Sequence, residues 1–335
     1  MNLWERQTKH FEDSKIIEVY KDNFKYEMNQ ITKLIDEGFN FIGLDTEFPG
    51  IVFFPKFEEK YKTFFVESIK NNSELIQNYN YDTIKLNVNN LKLIQVGFCL
   101  YNSTKNEKRT WQFNLDFDIR EEKFSNSSIE LLQKSGINFA KMQEEGIELS
   151  LFAETLLVSG LVQNNKITWV TFHGTYDFAY FIKLLTNENL PKEESTFLET
   201  IDFYFPNFYD VKFLLRNSCY NNCGLIKLSK HLNISINGSS HQAGSDSLVT
   251  IEIFISLKKR NFLQENLQKE NNILWGTGLK FDSSKILEYL LKNPTFYSYY
   301  YTNSYYQMTD RYRNDNNQLN YITEKKPKTN NYYGV

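Results

Sequence analysis

Two carboxylates two residues apart, Asp45 and Glu47, close the apolar run Phe39–Leu44, which reads as a short buried strand. A strand turns residues i and i+2 to one face, so both side chains point to the same place. Two such anions repel, and burying them costs several kcal/mol unless a positive partner joins them. A divalent cation is such a partner, and magnesium takes hard oxygen ligands of this kind. The other reading is a solvated acidic turn after a strand. Asp177 follows a second apolar run, Ile167–Phe172, across His173-Gly174-Thr175-Tyr176, where a helix begins. It is either a third carboxylate for a metal cluster or an ordinary helix cap. Asp246 lies in His241-Gln242-Ala243-Gly244-Ser245-Asp246. Five residues is a little over one helical turn, so His241 and Asp246 share a site if His241 stands near the helix start. The small residues between them leave room for a substrate backbone or for close helix packing. Otherwise His241 is a polar loop residue after Asn237-Gly238-Ser239-Ser240.

The elements that must position these groups alternate. Apolar positions at helical spacing predict a helix over 15–37, stopped by Gly38. Strands follow at Phe39–Leu44, Leu91–Tyr101, Thr110–Asn114, Ile167–Phe172 and, briefly, Phe208–Asp210. Helices are predicted over Ile147–Val158, Phe178–Leu185 and His241 to about Phe262. Residues 51–90 read as a polar excursion from the sheet. Strands alternating with helices indicate an α/β layer fold.

Composition bounds the function. The chain has 335 residues, 41% apolar and 24% charged, enough for a substantial globular core. Lys+Arg 38 against Asp+Glu 41 leaves a net charge of -3, which excludes a protein that holds nucleic acid by bulk charge alone. The polar start MNLWERQTKHFEDSK predicts no secretory signal, and no run of about 18 apolar residues predicts a membrane helix. Cys99, Cys219 and Cys223 are too few for a disulfide scaffold, and Cys219 and Cys223 read as reduced thiols in a loop. A reducing compartment is expected: cytoplasm, nucleus or both. Residues 1–280 read as one domain. The Tyr/Asn-rich stretch 281–335 lacks a sustained period and reads as a disordered or loosely docked arm.

The order Asp-x-Glu, Asp, His-x4-Asp resembles the DEDD exonuclease superfamily in the subgroup with a catalytic histidine. Longer stretches resemble the Caf/Pop-type deadenylases, the nuclease subunit of the eukaryotic CCR–NOT complex. They are LDTEFPG (Leu44–Gly50), TWQFN (Thr110–Asn114), SGINF (Ser135–Phe139), EEGIE (Glu144–Glu148), FAETLLVSG (Phe152–Gly160), NLP (Asn189–Pro191), YDVKFLL (Tyr209–Leu215) and HQAGSDSL (His241–Leu248). The resemblance spans roughly residues 15–280. It implies an RNase H-like three-layer α/β/α fold with a central mixed sheet. It also implies a poly(A)-specific 3′→5′ exoribonuclease that releases AMP with two divalent ions, Mg2+ or Mn2+. By the same pattern Asp45, Glu47, Asp177 and Asp246 are metal ligands and His241 is the catalytic histidine. Phe48, directly after the carboxylates, either buttresses a terminal base or packs in the turn, and Leu225 is a candidate substrate contact. RNA with a 3′ poly(A) tail and other CCR–NOT subunits are the implied partners. A catalytically weak scaffold paralogue normally lacks one or more of these carboxylates, and all four are here. A nuclease that trims the 3′ ends of small RNAs carries the same residues. The chain departs from the family in a longer 51–90 segment, in Gly174-Thr175 before Tyr176-Asp177, and in the loop Cys219–Cys223. Because every candidate site residue precedes the tyrosine-rich stretch, a chain ending near Leu291 should keep its exonuclease activity on labelled RNA. A soluble truncation without activity would place the stretch in the site.

Overall fold

The computed structural model describes residues 15–55, 73–236, 238–260, 262 and 270–277. The chain divides after Gly278, and all of these residues belong to the first unit. In chain order the elements are β1 (Ile16–Val19), α1 (Phe24–Asp36), β2 (Phe41–Glu47), α2 (Ser73–Asn90), β3 (Gln95–Asn102) and β4 (Glu107–Asn114). They continue with α3 (Asn126–Lys134), α4 (Phe139–Glu145), α5 (Leu149–Val158), β5 (Thr168–Thr171), α6 (Thr175–Thr186), α7 (Glu194–Tyr204) and β6 (Phe208–Asp210). The last are α8 (Val211–Leu214), α9 (Leu225–His231) and α10 (Ala243–Lys259).

Six strands form one mixed sheet in the order β1-β4-β3-β2-β5-β6. The β4-β3-β2 ribbon is antiparallel, while β1 on β4 and β5 and β6 beyond β2 are parallel. Strand alternation sorts β2 onto two faces. Ile42 and Leu44 join a core with Phe24, Met28, Phe152, Phe178 and Phe181 of α1, α5 and α6. Phe41 faces the other way, into a core built with Leu228 of α9 and Val249, Ile251 and Phe254 of α10. The result is the expected three-layer arrangement around a mixed sheet. None of the described helices is long and apolar enough to cross a membrane.

Three local expectations differ from the structure. The first part of 15–37 is the edge strand β1, with the helix starting only at Phe24. Ile16-Ile17-Glu18-Val19 is β-branched, and pairing with β4 decides its state over the helical spacing it also satisfies. The polar excursion contains a helix, α2, which buries Tyr81, Ile84 and Val88 at helical spacing. Its Asn87 is wholly buried and bonds the backbone of Val52 and Phe53, so an asparagine that reads as polar loop is a pin. Finally, α10 begins at Ala243 and ends at Lys259, so His241 precedes it and Phe262 lies beyond it. The stretch 281–335 lies outside the described residues.

Glycines let α10 settle onto the sheet. A Cβ on Gly97 would stand 1.8 Å from the carbonyl oxygen of Ala243, and one on Gly43 would stand 2.5 Å from that of Ser247. Both obstacles are helix backbone, which cannot step aside as a side chain can. Gly97 is also the register partner of Asp45. Gly97→Ala should therefore lift the start of α10 and lower stability by about 1–3 kcal/mol in urea unfolding. Unchanged stability would mean that the helix does not pack this closely.

Candidate active site

Asp45 and Glu47 stand at the carboxyl end of β2, on the face that carries Gly43 against Ser247 and Ile251 of α10. The even residues face α6 instead. The Thr46 hydroxyl donates to Asp177 Oδ1 at 2.5 Å, and the Phe48 ring stacks on Tyr176 at 5.0 Å and packs on Tyr180 at 5.2 Å. One strand end therefore supplies two carboxylates to one side and the support of a third to the other.

Asp177 lies in the first turn of α6, whose cap is Gly174. It does not cap the helix, which removes that alternative. Asp246 lies in the first turn of α10. One of its oxygens, Oδ2, accepts the backbone N–H of His241 at 3.1 Å, while Oδ1 is buried without a hydrogen-bond partner. His241 is exposed and adopts a left-handed backbone, φ +62°. One ring nitrogen of His241 and one carboxylate oxygen each of Glu47 and Asp246 lie within 4.8 Å of one another.

Glutamines hold the α10 end of this site. The α10 cap, Gln242, gives no side-chain cap bond. Instead Gln95 Oε1 of β3 accepts the Ala243 N–H at 3.3 Å, and Gln112 Oε1 of β4 accepts the Gly244 N–H at 3.1 Å. The Ser135 hydroxyl donates to the His241 carbonyl at 2.8 Å, and the Gln242 amide returns a bond to the Ser135 carbonyl at 2.7 Å. The sequence shows Gln95 and Gln112 only as polar residues inside apolar strands, which is the signal that a buried amide has a specific partner. Leu225 opens α9 and packs, half-buried, against the core beneath α10. Cys219 is exposed and Cys223 buried, and both are free.

The electrostatics of the four carboxylates are unfavourable as they stand. Burial, then the charges of Asp177, Asp246 and Glu47, push Asp45 well above the ordinary carboxylate range. Burial, then Asp246 and Asp177, do the same to Glu47. Burial raises Asp177 to about 7 against the opposing Thr46 hydrogen bond, and raises Asp246 to about 6 against the His241 N–H. Among the described residues, no lysine or arginine forms an ion pair with any of the four. Clustered hard oxygens, an unpartnered buried Asp246 Oδ1 and a nearby imidazole form a donor set that fits divalent magnesium or manganese.

Comparison with known proteins finds relatives over most of the chain. Residues 19–150 match the sequence model of the CAF1 family ribonuclease. The chain is 42% identical over 276 residues to the probable CCR4-associated factor 1 homolog 7 of Arabidopsis thaliana, over 79% of this chain and 94% of that one. It is 40% identical over 268 residues to the poly(A) ribonuclease pop2 of Schizosaccharomyces pombe, over 79% of this chain and 76% of that one. The structure of S. pombe Pop2p in its Mg2+- and Mn2+-bound form superposes with a TM-score of 0.70 at 39% identity, covering 78% of this chain and 99% of that one. Yeast CAF1 co-crystallised with the NOT1 MIF4G domain gives a TM-score of 0.64 at 27% identity, over 78% of this chain and 97% of that one. These likenesses place the mixed sheet and its helices in the RNase H-like fold.

The raised carboxylates set a sign for pH. Unfolded, an aspartate titrates near 4, whereas folded Asp177 and Asp246 titrate at about 7 and about 6. Between those values the folded chain holds the extra protons, so this contribution to stability falls as pH rises from about 4 to about 7. Desolvation by its packed surroundings holds the His173 imidazole below its ordinary value, which gives an opposite background slope. Measuring the difference that Mg2+ makes at each pH removes that background. A cation competes with the protons, so Mg2+ should raise the melting temperature little at about pH 5 and clearly at about pH 7.5. In EDTA at the higher pH, Asp45→Asn should melt above the wild type. Equal Mg2+ effects at both pH values would show that the carboxylates are not the cation site.

Proposed function

The chain belongs to the CAF1 ribonuclease family, and from that premise we propose that it is a 3′→5′ exoribonuclease that shortens poly(A) tails and releases AMP. The observation that carries the proposal is a group of four carboxylates at the end of β2 and in the first turns of α6 and α10, whose charges act on Asp45 and Glu47, with Glu47, Asp246 and the exposed His241 imidazole close enough to share one ion. A nuclease built this way needs little bulk positive charge, which suits a chain of net charge -3.

Two divalent cations, Mg2+ or Mn2+, would supply Lewis acidity to the hydrolytic water and to the departing 3′-oxygen. Asp45, Glu47, Asp177 and Asp246 would hold them. Oxygen donors on three separate elements fix the site only if those elements are rigid, which the glutamine bonds at the start of α10 and the Thr46–Asp177 bond support. His241 would accept the proton of the attacking water at a ring nitrogen. Its left-handed backbone, held at N by Asp246 and at O by Ser135, keeps the imidazole at the mouth of the site. Phe48, stacked on Tyr176, would present a firm apolar edge beside Glu47 to the terminal nucleotide. Leu225 is a candidate contact for the same RNA. The partners in this reading are RNA with a 3′ poly(A) tail and subunits of a CCR–NOT complex. The yeast CAF1 relative, co-crystallised with a NOT1 domain, supports the second. The cytoplasm, with the nucleus, is the proposed location.

The direct test is a gel assay on 5′-labelled RNAs ending in A, U or C runs. Stepwise shortening of the A run from its 3′ end, slower shortening of the others, and loss of cleavage in Asp45→Ala are expected. Equal rates on all three tails would overturn the poly(A) preference, and intact RNA would overturn the nuclease.

His241 carries a separate expectation. If it accepts the proton of the attacking water, His241→Ala should be slower by ~10²–10⁴-fold, while its Mg2+-induced rise in melting temperature persists. A variant that melts lower but keeps the wild-type rate would leave His241 only a role in fixing its loop.

A further inference from the structure

A further aspartate, outside the four carboxylates, is fully enclosed at the same end of the sheet. Asp210 closes β6 with no solvent exposure. Its Oδ1 accepts the backbone N–H of His173 at 2.9 Å and of Lys212 at 2.9 Å. Its Oδ2 accepts those of Gly174 at 3.2 Å and Trp275 at 3.0 Å. Four backbone donors from three segments thus converge on one carboxylate, and none of its oxygens is left for a cation. Burying a charge is costly, and hydrogen bonds to a charged acceptor are among the stronger ones.

Each of the segments leads to the site or braces it. His173 and Gly174 form the turn between β5 and α6, and Gly174 is the α6 cap. Three residues on stands Asp177. The segment 270–277 returns over the same end: Trp275 accepts the Thr175 hydroxyl at its carbonyl, 2.8 Å, while donating its N–H to Asp210. That segment is itself fixed, by Asn272 bonding Phe208 and Pro206 and by the paired Arg216–Glu270 bonds at 2.5 and 2.7 Å. Beyond Asp210, the Lys212 ammonium donates to the carbonyls of Asn221 at 2.7 Å and Cys223 at 2.9 Å, just ahead of α9.

We propose that Asp210 is a positioning residue: it fixes the first turn of α6 from both the β5 turn and the 270–277 segment, and so sets where Asp177 presents its carboxylate. This rests on the reading of Asp177 as a metal ligand. The bond from Thr46 fixes the Asp177 side chain, while Asp210 and Trp275 hold the cap and the first residue of the helix that carries it. Asparagine has the shape of aspartate yet turns an NH2 toward backbone donors, so Asp210→Asn breaks two of the four bonds without opening a cavity.

The test is calorimetric titration of Mn2+ into wild type, Asp210→Asn and Asp177→Asn, with melting in EDTA and the rate on labelled A-tailed RNA measured alongside. Asp210→Asn should bind Mn2+ about 10–100-fold more weakly. It should recover much of its rate at saturating Mn2+, whereas Asp177→Asn should not. A merely structural role would lower the melting temperature and leave the Mn2+ curve of the folded protein unchanged, and that result overturns the proposal. If Asp210→Asn does not fold, Thr175→Val, nearly isosteric, cuts only the tie from Trp275 to α6. Weaker Mn2+ binding by that variant supports the proposal, and a wild-type curve overturns it. Wild-type protein that binds no Mn2+ would overturn the metal reading itself, and this inference with it.

Discussion

Four carboxylates gathered at one end of the sheet are the constraint around which this molecule is arranged. Burial drives all four above their ordinary range, and at Asp45 and Glu47 the charges of the neighbouring carboxylates add to it, so the chain must hold them together against their own electrostatics. It does so with fixed dipoles. Asp177 and Asp246 both lie in the first turn of a helix, where the partial positive charge of the free N–H groups favours an anion. Asp45 and Glu47 have no such help and rely on the strand, which pairs them with Gly97 and Gln95 of β3.

Bringing α10 close enough for Asp246 to meet Glu47 creates a second demand. A helix over a sheet normally rides on side chains, but here Gly43 and Gly97 remove them and the helix backbone nearly touches the strands. Its N-terminal N–H groups are then buried and need acceptors. Gln95 and Gln112, reaching up from the sheet, supply them, and Glu18 of β1 accepts from Gln112 and from Asn114 in turn. The glycines and the glutamines solve one problem jointly, and neither substitution makes sense without the other.

Much of this was legible in the sequence where the cause is local. The end of β2, the turn after β5 and the short β6 were visible because an apolar run stops at polar residues with a stated chemistry. The three places that supply the carboxylates were visible for the same reason. What stayed hidden was non-local. Ile16–Val19 satisfies helical spacing as well as strand propensity, and only β4 chooses between them. In α2 the apolar positions Tyr81, Ile84 and Val88 are sound, yet the surrounding asparagines imitate a loop. Asp210 reads as part of a recognisable stretch, Tyr209–Leu215, but its partners come from residues 173, 174, 212 and 275, which no local pattern joins. Leu225 was singled out by resemblance alone, and its half-buried packing beneath α10 has a sufficient structural cause of its own.

The same local device precedes both carboxylate-bearing helices. His173 stands two residues before α6 with φ +66°, and His241 two residues before α10 with φ +62°. A non-glycine residue in this region costs of order 1–3 kcal/mol, so it persists only where the surroundings insist on it. In each case the histidine backbone N–H bonds an aspartate oxygen, Asp210 for His173 and Asp246 for His241. The left-handed residue turns the chain sharply from the end of a loop into a helix, which is what aims the first helical turn back at the end of β2. The charged acceptor offsets the strain of that turn. The two turns differ in one respect that bears on function: the acceptor at α6 is a fifth carboxylate held apart from the site, whereas at α10 it is Asp246 itself. The His241 backbone is thus tied directly to a member of the cluster, and displacement of Asp246 carries the imidazole with it.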